Sequence, residues 1–169
     1  MRPELILDPT ALDFAKVLAT REDLRATNPQ RFEMEMVDGI VHLDRESHVI
    51  VGYKDVRDDE FWVRGHMPGF PLLPGVLMCE AAAQMVGYYT TLVGLKVKDY
   101  IAFGGMENVR FRGVVRPGDR LVLVGRGVRV HRRQTVFNVQ GFVGKAMVYQ
   151  GDIIGIQLNK SEMTAGEEK

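Results

Sequence analysis

From Gly75 to about Gly94 the apolar residues Val76, Leu77, Ala81, Ala82, Ala83, Met85, Val86, Tyr88 and Leu92 fall on nearly every side of a helix. At 1.5 Å per residue such a helix is about 30 Å long. A helix apolar along one stripe rests on a surface, whereas one apolar all round has to be enclosed. Strand-like segments follow it, at 100–111, 120–131, 135–143 and 148–158, broken at Arg116-Pro117-Gly118-Asp119, Arg132-Arg133 and Gly144-Lys145. Long strands separated by short turns predict an antiparallel meander. Only a sheet that curls covers one helix on several sides. The pattern therefore predicts an α+β fold, an antiparallel β-sheet wrapped around a long central helix.

Ahead of that helix the pattern is weaker. Residues 9–27 read as helical, with a partial stripe of Leu12, Ala15, Val17, Leu18 and Leu24, capped by Asp8 or Thr10, with Pro9 early in the helix. Asn28-Pro29 stops it, because the residue before a proline is pushed out of the α region. Strands are expected over 32–43, turning at Asp38-Gly39, and over 48–54. The expected organisation is a helical extension over 1–28, one domain over 29–159 and a disordered polar tail over 160–169.

The single cysteine, Cys79, has no intrachain partner, so nothing calls for an oxidising compartment. Asp8 cuts off any signal-like apolar run, and no stretch reaches the ~20 apolar residues of a membrane span. A cytoplasmic location is expected. Formal net charge is +0, yet residues 110–133 hold eight arginines and one acid, Asp119. With zero net charge and no binding motif, nucleic acid is not an expected partner. His42, His48 and His131 lack metal-site spacing, and no metal is expected.

The stretch from Gly65 to Gly75 holds three prolines and three glycines, too many for a regular element. It places His66 in a stiff loop that leads into the start of the apolar helix, and rigid placement suits a proton-transfer group. The first N–H groups of that helix lack intrahelical acceptors, and Gly75 leaves its own open to a carbonyl oxygen. Glu80 lies five residues on, in an otherwise apolar segment, where a carboxyl must be paired or protonated.

The run Gly65-His66-Met67-Pro68-Gly69-Phe70-Pro71-Leu72-Leu73-Pro74-Gly75-Val76-Leu77-Met78-Cys79-Glu80-Ala81-Ala82-Ala83-Gln84 resembles the signature of the 3-hydroxyacyl-acyl-carrier-protein dehydratases of bacterial type II fatty-acid synthesis, the FabZ/FabA family. It matches every fixed position except a phenylalanine, which is Met67 here. Phe103 to Arg112 and Val115 to Asp119 resemble the strand and turn that follow the family's helix. The resemblance implies the hot-dog fold and dehydration of a 3-hydroxyacyl thioester to a trans-2-enoyl thioester, without cofactor. It implies that His66 takes the C2 proton, Glu80 protonates the departing hydroxyl, and the Gly75 N–H polarises the carbonyl. Met67, Pro68, Gly69, Phe70, Pro74 and Gln84 would contact substrate. Isomerising relatives carry Asp at the Glu80 position, so Glu80 favours simple dehydration.

The same resemblance implies a homodimer at minimum, a trimer of dimers as the full assembly, and a site whose histidine and carboxylate come from different subunits. The partner would be an acidic acyl carrier protein, steered by Arg110, Arg112, Arg116 and Arg120, although arginines on solvated strand faces explain the same pattern. The chain departs from the family at Pro29-Gln30-Arg31-Phe32-Glu33, where Gln30 and Glu33 replace a histidine and a proline. A hot-dog thioesterase or a non-catalytic acyl-binding subunit would share the fold without the reaction.

Overall fold

A computed structural model describes residues 4–96 and 98–164. Its strands are β1 (Ala19–Thr20), β2 (Gly39–Asp44), β3 (Val49–Asp55), β4 (Tyr100–Phe111), β5 (Arg120–Val130), β6 (Gln134–Val143) and β7 (Ala146–Leu158). The helices are α1 (Arg21–Arg25), α2 (Gly75–Leu92) and α3 (Lys160–Thr164). All seven strands form one antiparallel sheet in the order β1-β2-β3-β5-β6-β7-β4. Strands β5, β6 and β7 are the expected meander. Strand β4 is not part of it, since it pairs with β7 at the far edge rather than with β5.

The sheet curls around α2 as the sequence requires. Inward-facing Ile50, Leu121, Leu123, Phe137, Val139, Tyr149 and Ile153 enclose Met78, Ala81, Ala82, Met85 and Tyr89 of the helix. Close approach depends on absent side chains: a Cβ at Gly52 would stand 3.2 Å from the Met85 sulfur, and one at Gly125 would stand 3.1 Å from its methyl. Helix α2 ends where expected, because Gly94 adopts a φ of 75°. The Leu95 and Gly94 N–H groups then return to the Thr90 and Thr91 carbonyls, closing the last turn.

Residues 9–27 do not form the expected helix. Pro9–Ala11 is a single 3-10 turn, and only Arg21–Arg25 is α-helical, held by a Thr20–Asp23 capping box. Asp8 and Asp13 accept hydrogen bonds from the N–H groups of Thr10 and Ala15, which competes with helix formation. The apolar residues Ile6, Leu7, Leu12 and Phe14 pack on Val41, Val51, Val122, Val124 and Phe142, the outer face of the sheet. The expected strand over 32–43 begins only at Gly39. Phe32–Met34 is a 3-10 turn, and the Met36 N–H donates to the Gln84 side chain instead of to a neighbouring strand. The polar tail is helical over Lys160–Thr164, with Glu162 accepting from the Asn159 N–H and paired with Lys98. The rest of that tail lies outside the described residues.

Met85 is fully buried between the two glycines, so Met85→Ala leaves a cavity that the sheet cannot close. Stability should fall by about 2–5 kcal/mol, read as a lower urea midpoint with an unchanged slope.

Candidate active site

His66 is exposed, yet its position is over-determined. Its N–H donates to the Trp62 carbonyl at 2.8 Å, and its carbonyl accepts from the Leu72 N–H at 2.8 Å. Its Nδ1 lies 2.8 Å from the Leu72 carbonyl oxygen. A carbonyl only accepts, so Nδ1 carries the proton and Nε2 is left as the basic nitrogen. Met67 and Phe70 close a tight turn beyond it, with Gly69 at a φ of 75°. Leu73 donates to Val115, and Pro74 then opens α2.

Gly75 is the first residue of that helix, and its N–H makes no hydrogen bond among the described residues. A Cβ there would fall 2.6 Å from the exposed Phe111 ring, which would have to move aside for any larger residue. Glu80, one turn further, is half-buried and held by neutral amides. Gln84 Nε2 donates to its Oε1 at 2.7 Å and Gln30 Nε2 to the same oxygen at 3.3 Å. Oε2 has no such partner among the described residues. Glu80 also lines a small cavity with Gln30, Ala83, Val86, Ile101 and Phe103; His66 is not in its wall.

A FabA-like domain matches residues 28–152. This chain belongs to the FabA-like family. It is 38% identical over 139 residues to the 3-hydroxyacyl-[acyl-carrier-protein] dehydratase FabZ of Syntrophobacter fumaroxidans, covering 81% of this chain and 93% of that one. The FabZ of Desulfotalea psychrophila is 36% identical over 75% of this chain and 85% of its own. Among solved structures, the dehydratase heterocomplex ApeI:P from Xenorhabdus doucetiae superposes with a TM-score of 0.72 at 15% identity, covering 86% of this chain and 97% of that one. A hypothetical thioesterase with coenzyme A from Streptococcus pneumoniae gives 0.60 at 13%, covering 83% and 98%. These structural likenesses establish the hot-dog fold.

Within this FabA-like domain the expected contact residues divide. Met67, Pro68, Gly69 and Phe70 stand exposed beside His66, and Pro74 is half-buried at the helix start. Gln84 is buried, donates to the Met34 carbonyl as well as Glu80, and accepts from the Met36 N–H. Its amide is spent holding the acid and the segment before β2. Arg120 has intrachain partners. It is bound through two nitrogens to Asp55 and stacks on Tyr53 and Phe14. Arg112 donates to Gln150, Arg110 to the Val109 carbonyl, and Arg116 lies over the Phe70 ring at 4.7 Å.

One brace escaped the sequence reading. Lys54 of β3 is buried and pairs with Glu60 at 3.0 Å, and the Trp62 indole donates to the same carboxylate at 2.9 Å. Trp62 in turn accepts the His66 N–H, so the pair supports the histidine loop from below. Burial opposes the Glu60 anion, but the Arg57 N–H, the Trp62 indole and Lys54 outweigh it and hold its pKa below the usual value. Burial pushes Lys54 down in the same way. Five residues separate the two charges in sequence, with no spacing rule to link them.

Glu60→Gln leaves the Lys54 ammonium buried without its counter-charge, which should cost about 3–5 kcal/mol at neutral pH. The stability owed to Glu60 is complete above its unfolded pKa and lost as pH falls through the lower folded value. The gap between wild type and variant should therefore narrow below pH 4.5, as checked by urea unfolding at neutral and acid pH.

Proposed function

We propose that this chain dehydrates (3R)-3-hydroxyacyl thioesters of acyl carrier protein to trans-2-enoyl thioesters, as a hydro-lyase of fatty-acid biosynthesis. The observation that carries the reading is an imidazole anchored through Nδ1 to the loop that leads into a helix whose first N–H is open. His66 Nε2 takes the proton from C2 while the carbonyl oxygen gains charge. The Gly75 N–H receives that charge at the positive end of α2. The C3–O bond then breaks, the C2–C3 double bond forms, and Glu80 Oε2 supplies the proton with which the hydroxyl leaves as water. The FabZ relatives, a third or more identical over most of the chain, support the same chemistry.

The protein acts as an oligomer, with a homodimer as the least unit. Strand β4 supports this: twelve residues long at the edge of the sheet, it leaves Phe103, Met106 and Phe111 exposed. A long apolar edge of that kind is a pairing surface. A site shared between subunits accounts for His66 standing outside the Glu80 cavity. The carrier protein approaches over Met67 and Phe70, flanked by Arg112 and Arg116, in a cytoplasmic setting. No helix among the described residues is long and apolar enough to cross a membrane.

The test is turnover of a 3-hydroxyacyl-acyl-carrier-protein, following enoyl product and free thiol together. Wild type should form enoyl thioester without thiol, and His66→Ala and Glu80→Ala should each lose about 10²–10⁴-fold in rate. Thiol release in place of enoyl product would reassign the chain to thioester hydrolysis. Co-expressing the two inactive variants tests the shared site. Mixed dimers bring one intact histidine to one intact glutamate and should regain part of the activity. No recovery would put both groups in one subunit.

A further inference from the structure

Helix α2 carries a glycine that no contact among the described residues requires. Gly87 lies mid-helix, where glycine is among the least favourable residues. A Cβ added there would meet no atom within 4 Å. Gly52 and Gly125 make room for a neighbouring side chain, but among the described residues Gly87 makes room for none.

The space it keeps open is the junction of two cavities. The first, about 50 Å³, is the one that Glu80 lines. The second, about 240 Å³, lies further along the helix and is bounded by Asn28, Arg31, Thr91, Lys96 and Tyr100. Gln30, Ala83, Gly87 and Ile101 are in the wall of both. From Glu80 to Thr91 the helix rises about 16 Å at 1.5 Å per residue. The near cavity is walled by Val86, Ile101 and Ile153, whereas the far one is polar and cationic. Its rim includes Arg25, Ala26 and Thr27, which precede the FabA-like match at residue 28.

We propose that Gly87 holds open a passage from the Glu80 cavity to this second chamber, so that the site takes acyl groups too long, or too polar at the far end, for the near cavity alone. This rests on the dehydratase reading, because it takes Glu80 to mark where C3 of the acyl group sits. The acyl chain then runs along α2 past Ala83 and Gly87. A side chain at position 87 closes the passage without touching His66, Gly75 or the Glu80 carboxyl.

The experiment compares wild type, Gly87→Ala and Gly87→Leu on four-carbon and fourteen-carbon 3-hydroxyacyl thioesters. In parallel it measures binding of the matching saturated thioesters, which cannot be dehydrated. Gly87→Leu should lower the ratio of long-chain to short-chain kcat/KM at least about tenfold, and Gly87→Ala should lower it less. The same ordering should appear in binding. Gly87→Ala should also melt about 2–4 °C higher, since the helix gains and no contact is lost. An unchanged ratio in Gly87→Leu would overturn the proposal. So would a dissociated oligomer in either variant, which would make the space around Gly87 a contact between copies. If wild type forms no enoyl product from either thioester, the dehydratase reading falls, while the binding ratios still decide whether position 87 controls chain length.

Discussion

Met85 enters a space that Gly52 and Gly125 leave on two neighbouring strands, and it is completely excluded from water. That contact sets how deep α2 sits in the curl of the sheet, and most of the site follows from that depth. With α2 drawn in, its first residue meets the Phe111 ring so closely that a Cβ would have to push the ring aside. The same depth carries Gln84 to the backbone of Met34 and Met36. The segment ahead of β2 is therefore shaped by the helix rather than by a strand, although the helix lies some fifty residues later in the chain. A helix resting on the outside of a flat sheet could make none of these contacts.

The two proposed acid–base groups are braced separately. Glu80 is tied by Gln84 and Gln30 to α2 and to the segment around residues 30–36. His66 is tied through Trp62 to Glu60 and Lys54, and so to the end of β3. The braces differ in cost. Amides lose little on burial when their hydrogen bonds are met, whereas the Lys54–Glu60 pair gives up the hydration of two charges. The ion pair stands under a loop that is exposed from Arg64 to Phe70 and buried only at its ends, through Trp62 and Leu73.

What could be read in the sequence was local. The loop from Gly65 to Gly75, the helix behind it and the long strands announce themselves through proline, glycine and periodicity, and α2 begins at the expected residue. The extension over 1–28 was misread because Leu12 falls on a helical period yet packs, with Ile6, Leu7 and Phe14, on a sheet face formed by residues 41–142. Periodicity cannot distinguish those uses. The placement of β4 beyond β7, the capture of Arg120 by Asp55 and the Lys54–Glu60 pair all depend on which strands become neighbours. The hydrogen bonds of Gln84 to Met34 and Met36 were hidden for the same reason: the depth of the helix decides which backbone a glutamine four residues after Glu80 meets.

The arrangement of partners around each reactive group follows one rule. Imidazole and carboxyl each have one atom committed to the fold and one left over: Nδ1 against Nε2 in His66, Oε1 against Oε2 in Glu80. Commitment through one atom fixes orientation and leaves the other for the proton transfer proposed above. An arginine in place of Gln30 or Gln84 would tend to engage both carboxylate oxygens at once. The chain does use that geometry elsewhere, in Arg120–Asp55 and Arg25–Glu35, where a rigid carboxylate is all that is needed. Beside Glu80 only neutral amides donate among the described residues, and both choose the same oxygen.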